Sequence, residues 1–199
     1  MFRAGHRADN LIVRINPNDG CVDRTVTTHD YNGPGRWSAE EIVRRYQAYA
    51  KRFHVSPVRN IEPDISRKGD QRWVYPVMYQ IIDGIKDGDP ACVQIGIEFI
   101  GEDQGFPFGA ILKSNTARAL RQFPGLTSGQ MATIRARVVG MLLTGIVPRE
   151  YREYSKLLRK IGIGDHWPRI VSATPRNHYA ARAQAYFMRH CAPAEAKGT

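Results

Sequence analysis

Between residues 126 and 161 the apolar positions repeat with the period of two helices joined by a short turn. At about 100° per residue, Met131, Ile134, Val138, Met141 and Leu142 share one arc of the first helix, and Val139 and Leu143 widen it. So broad an apolar surface predicts a helix wrapped by neighbours on most sides. Thr127 is an N-cap, Gln130 completes a capping box, and Leu126 with Met131 supplies the hydrophobic staple. Gly145 suits a left-handed stop, and Pro148 suits the first position of a new helix. The second helix is expected to bury Tyr151, Tyr154, Leu157, Leu158 and Ile161. Its other side carries Arg149, Arg152, Lys156, Arg159 and Lys160 at spacings of three and four, with Glu150 and Glu153 between the faces. Arg135 falls inside the apolar arc of the first helix, so it either lays its stem on the core with its head in water or is buried with a partner.

The same reading predicts further helices. One starts at Trp37-Ser38-Ala39-Glu40-Glu41-Ile42, with a capping box and a Trp37–Ile42 staple, and lines Ile42, Val43, Tyr46, Tyr49, Ala50 and Phe53 on one side. Residues 55–72 have Pro57, Pro63 and Gly69 and no usable period, which predicts a loop. A helix follows from Tyr75-Pro76 through Met78, Ile81, Ile82 and Ile85 to a break at Asp87-Gly88. Residues 91–100 are ambiguous, because Val93, Ile95, Ile97 and Phe99 alternate as in a strand. Asp89-Pro90 opens helices well, however, and a short helix buried all round mimics alternation, so helix is favoured. Past an acidic turn at residues 101–105, Pro107 starts a helix with Phe108, Ile111, Leu112, Leu120 and Phe123. Residues 162–173 read as a linker, and Thr174-Pro175 as the start of a last helix with Tyr179, Ala183, Tyr186 and Phe187.

The expected fold is all-α: six or seven helices in a bundle or a short helical array. Residues 37–191 form the single helical domain and residues 192–199 a disordered tail. Residues 1–36 are a loosely structured arm, with weak strands at 11–15 and 22–28.

Charge changes this picture more than composition does. The chain has 199 residues and a net charge of +10. Residues 70–105 hold two basic and seven acidic side chains, whereas residues 106–164 hold ten basic and two acidic, a net of +8. Such segregation makes an electrically polar molecule if the segments face different ways. No apolar run approaches the roughly 20 residues that span a bilayer, and the first ten residues lack the apolar core of a secretory signal. Cys21, Cys92 and Cys191 are odd in number and far apart, which argues against a disulfide framework and for a reducing cytoplasm.

Residues 88–93, Gly-Asp-Pro-Ala-Cys-Val, resemble the opening of the second helix in HEAT-like repeats. Residues 106–161 are similar in pattern to uncharacterised bacterial all-helical proteins. The resemblance covers about a third of the chain. It implies a scaffold that binds partners, and it transfers no catalytic residues.

A search for chemistry leaves little. His6, His29, His54, His166, His178 and His190 form no HExxH, and the cysteines form no Cys-x-x-Cys, so no metal ligand set is expected. Asp83, Asp87 and Asp89 lack the spacing of a calcium loop, and no phosphate-binding glycine motif or nucleophile elbow occurs. Cys92 reads as a small core residue, and Glu98 with Glu102 or Asp103 would matter only if they lined a cleft. No cofactor is implied and no catalytic residue is named. The leading expectation is a non-catalytic binding protein that docks an acidic partner through Arg149, Arg152, Lys156, Arg159 and Lys160, with Arg137, Arg118 and Arg121 beside them. The alternative is a nucleic-acid-binding protein that presents the 148–161 helix, with Tyr151 and Tyr154 among the basic residues. An enzyme with an unrecognised site is third.

Overall fold

The computed structural model describes residues 26–102 and 108–193. Its elements in order are β1 (Thr27–Asp30), α1 (Ala39–Arg52), β2 (Ile65–Lys68), β3 (Gln71–Val74), α2 (Met78–Lys86), α3 (Pro90–Gly101), α4 (Gly109–Gln122), α5 (Ser128–Thr144), α6 (Tyr151–Ile161), α7 (Trp167–Val171) and α8 (His178–Cys191). The fold is mostly helical, but it is not all-α. The strand expected at 11–15 and the helix start expected at Pro107 lie outside the described residues, as do Cys21, Asp103 and residues 194–199.

The helix at residues 91–100 forms because Asp89 caps it and Pro90 begins it. Asp89 Oδ1 accepts from the Ala91 amide at 2.8 Å and the Cys92 amide at 3.3 Å. Eight of the twelve residues of α3 are buried, and α1, α2, α4 and α5 all pack against it. That explains the strand-like alternation: the helix is covered nearly all round. Two glycines set the spacing of its neighbours. A Cβ at Gly84 of α2 would lie 2.3 Å from Cys92 Sγ, and one at Gly96 of α3 would lie 2.6 Å from Ile85 Cδ1.

The capping box on α5 is present, with the Gln130 amide 3.3 Å from Thr127 Oγ1 and the Thr127 amide 3.0 Å from Gln130 Oε1. Gly145 ends that helix in the left-handed region at φ +77°. At α1, Ser38 Oγ accepts from the Glu41 amide as expected, and Trp37 and Ile42 are both fully buried. Glu41 does not complete the box; its carboxylate turns to Arg44 instead.

Four expectations are corrected. Residues 55–72 are not merely a loop, because β2 and β3 form an antiparallel hairpin closed by Gly69-Asp70, with Gly69 at φ +59°. β1 runs parallel to β3 on its other side, giving the order β1-β3-β2. The second helix of the 126–161 pair starts at Tyr151, so Pro148 and Arg149 belong to the turn before it. The last helix starts at His178 behind an Asn177 cap rather than at Thr174, and the expected linker contains the short helix α7. Asn177 ties this region to the end of α5 by donating to the Gly145 carbonyl at 2.9 Å.

Gly84→Ala is expected to destabilise the protein by about 1–3 kcal/mol, because the added methyl overlaps the fixed Cys92 side chain. Urea unfolding checks this; a midpoint equal to that of the wild type would contradict the close α2–α3 approach.

Candidate basic docking surface

Burial divides α6 sharply. Tyr151, Tyr154, Ser155, Leu157 and Leu158 are buried, and Tyr151 donates to the Val138 carbonyl of α5 at 2.9 Å. The helix is held between α4, α5 and α8. At about 100° per residue, Arg152, Lys156, Arg159 and Lys160 share one arc of roughly 100° on the remaining side. Arg152, Arg159 and Lys160 are exposed, as is Arg149 in the preceding turn. The two tyrosines are core residues, each 1% exposed, so neither is available to stack a base.

The next feature is a carboxylate shared by three cations. Glu153, only 6% exposed, sits at the edge of the buried face of α6 where α4 packs. Its Oε1 takes Lys156 Nζ at 2.9 Å, and its Oε2 faces Arg118 Nε at 3.5 Å and Arg121 Nη1 at 3.4 Å. Burial pushes the Glu153 carboxyl up. The hydrogen bond from Lys156 and the charges of Lys156 and Arg118 outweigh it and hold the group below the usual carboxylate range. The expected residues Arg118, Arg121 and Lys156 thus meet around one acid on the side where Arg152, Arg159 and Lys160 emerge. Arg149, Arg152, Arg159 and Lys160 make no hydrogen bond or ion pair among the described residues.

Arg137 is half-buried on α5 and does not belong to this cluster. Arg135 has the partnered role rather than the solvated one. Its Nε donates to the Gly162 carbonyl at 2.8 Å and its Nη2 to the Ile161 carbonyl at 2.6 Å, placing a positive charge at the C-terminus of α6. Lys113 is also spent internally, on the Glu102 carbonyl at 2.6 Å.

Four acids of the 70–105 segment are paired elsewhere. Glu98 Oε2 accepts from Arg36 at 2.9 Å and Arg45 at 2.8 Å, and its Oε1 accepts from Tyr49 and from Gln94 at 3.1 Å. Glu102 takes Arg36 at 2.6 Å and the Trp37 indole N–H at 2.8 Å. Asp87 and Asp89 both face Arg59, and Asp89 also accepts from the Tyr46 hydroxyl at 2.9 Å. Burial, reinforced by Asp89, raises the Tyr46 phenol to about 12. The cationic partners come from residues 36–59, so these acids do not pair with the cations of α4 and α6, of which Arg118, Arg121 and Lys156 share Glu153. The local sequence rules miss this cross-pairing because it links residues 28 to 65 apart in the chain.

Glu98 and Glu102 do line a groove, of about 660 Å³, with Gln94, Gln130, Arg52 and Phe53. Glu98 already accepts four hydrogen bonds there, which suits a structural clamp better than a proton carrier. Burial raises the Cys92 thiol far above its ordinary range, so it is a core residue without thiolate character. Among the described residues, no three His, Cys, Asp or Glu side chains are grouped to hold a metal ion, and no helix is long and apolar enough to cross a membrane. The chain matches no family model, no curated protein and no solved structure.

Glu153→Gln is expected to cost about 1–3 kcal/mol near neutral pH, since three cations lose their shared charge. Because the folded-state carboxyl is lowered, its contribution is present above the unfolded value of about 4.3 and fades as pH falls through the folded one. Urea unfolding of both proteins between neutral and acid pH should therefore show the difference shrinking on acidification. A difference that grows toward acid would contradict the assignment.

Proposed function

We propose that this protein is a non-catalytic helical binding module that docks an acidic protein partner on the outer face of α4 and α6. The observation that carries this is the group Arg149, Arg152, Arg159 and Lys160, exposed and without acceptors among the described residues, beside a cluster in which three cations share one carboxylate. Such a face holds an excess of positive charge at fixed positions on packed helices, and carboxylates of a partner complement it. The HEAT-like opening of α3 agrees with a scaffold role. A compartment without disulfide formation, the cytoplasm, fits the buried free thiol of Cys92.

Nucleic acid is the competing ligand, and two observations favour a protein instead. Tyr151 and Tyr154 are sealed in the core, so α6 offers no ring on which a base can stack. Its exposed arc also carries no asparagine or glutamine of the kind that reads adenine.

Fluorescently labelled poly-glutamate and a labelled DNA duplex, each titrated at about 50 and 200 mM salt, separate the two readings. Poly-glutamate is expected to bind at the lower salt and to weaken at least about tenfold in the Arg152→Glu, Lys160→Glu double variant. Equal binding by the variant, or tighter binding of duplex with a steep salt dependence, would overturn the proposal.

A further inference from the structure

We propose that Arg67 and Arg72 form a binding site for a phosphate monoester dianion on the three-stranded sheet, independently of the face on α4 and α6. The register sets them directly opposite each other, Arg67 of β2 against Arg72 of β3, and Thr28 of β1 is opposite Arg72 on its other side. Residues paired in this way project from the same face of a sheet, with Cβ atoms about 4.5–5.5 Å apart. The row Thr28–Arg72–Arg67 therefore crosses all three strands with two cations and a hydroxyl together.

Nothing in the described chain neutralises the pair. Among the described residues neither arginine makes an ion pair or a side-chain hydrogen bond. Asp30 is on the same face one row along, and its Oδ1 is engaged at 2.8 Å by both the Asn32 amide and the Asn32 side chain. Asp70 lies in the hairpin turn, where its carbonyl accepts from the Thr27 amide. Like charges directly opposite in a ladder destabilise it, so the arrangement is costly without a counter-ion. Arg72 adds a second mark. It is half-buried, and its Nε is enclosed with no acceptor. The Nε atoms of Arg45 and Arg137 are enclosed without an acceptor too, but Arg45 donates to Glu98 through Nη1 and Arg137 is not without a partner, whereas the Arg72 side chain has no other polar contact among the described residues. Turning the Arg72 guanidinium toward Arg67 would release that donor to an oxyanion held between two planar forks, with the Thr28 hydroxyl as a further donor. Two facing positive charges match the charge of a monoester, −1.5 to −2 near neutral pH, better than the single charge of a diester.

The experiment follows arginine Nε–H signals in ¹H–¹⁵N spectra of the full chain during titration at constant ionic strength. Inorganic phosphate and free phosphoserine are the monoester-type probes, and dimethyl phosphate is the monoanionic comparator. The signals of Arg67 and Arg72 are expected to move saturably with the first two, with phosphoserine binding more tightly if the site serves a carried phosphate and phosphate itself if it serves the free ion. Arg67→Gln and Arg72→Gln should each weaken binding at least about tenfold, and Arg159→Gln on α6 should not. In phosphate-free buffer Arg67→Gln should melt at or above the wild-type temperature, because a repulsive pair is gone. Stationary signals at tens of millimolar phosphate, equal affinity for dimethyl phosphate, or a lower melting temperature for Arg67→Gln would each overturn the site.

Discussion

The structure depends on burying one helix that carries a single charge. Eight of the twelve residues of α3 are buried, and Glu98 is its one ionisable acid or base apart from Cys92. A carboxylate at 18% side-chain exposure on such a helix must be met by cations and donors or it opposes burial. Arg36 and Arg45 meet it from the start of the helical body, and Tyr49 adds a hydroxyl from the same side. Arg45 also lies over the Trp37 ring at 4.5 Å, so the clamp joins the ionic pairing to the apolar core. α1 is thus tied to α3 by Arg45 and Tyr49 on Glu98 and by the Tyr46 hydroxyl on the Asp89 cap.

That clamp decides where charge remains. Arg36, Arg45 and Arg59 are committed to Asp87, Asp89, Glu98 and Glu102, so these four acids are not paired with the cations of α4 and α6. On the far side, Glu153 is the one acid set among Arg118, Arg121 and Lys156. The positive excess of +8 in residues 106–164 is therefore not cancelled by Asp87, Asp89, Glu98 and Glu102, which pair with residues before them. Had Glu98 and Glu102 paired with the side chains of α4 instead, the same composition would have made an electrically more even surface.

Much of this was legible in local residues, and the exceptions have physical causes. The helix ends at Ser38, Asp89, Thr127 and Gly145 are marked by side chains that act within a few positions, and all four end or cap helices in the structure. The buried side of α6 followed from its period. The hairpin of β2 and β3 was missed because Ile65, Ser66, Arg67 and Lys68 are all exposed and carry no alternation to read; only Gly69-Asp70 signalled it. The role of Arg135 could not be fixed from its place in an apolar arc, since its acceptors lie 26 and 27 residues away at Ile161 and Gly162. Of the candidate site, the exposed cations were foreseen as a stripe. The sharing of Glu153 with α4 was not, because it depends on how two helices pack.

The parallel pairing of β1 with β3 has a consequence for how the chain is made. Residues 27–30 find their partners at 71–74, with α1 and the whole of β2 in between. During synthesis, at roughly 5–20 residues per second, the first strand waits seconds for the middle one to emerge. Over that interval α1 can form from its own residues, but the strand ahead of it has no ladder to join. β1 therefore joins the sheet only once β3 has been made, with α1 and β2 lying in the chain between them.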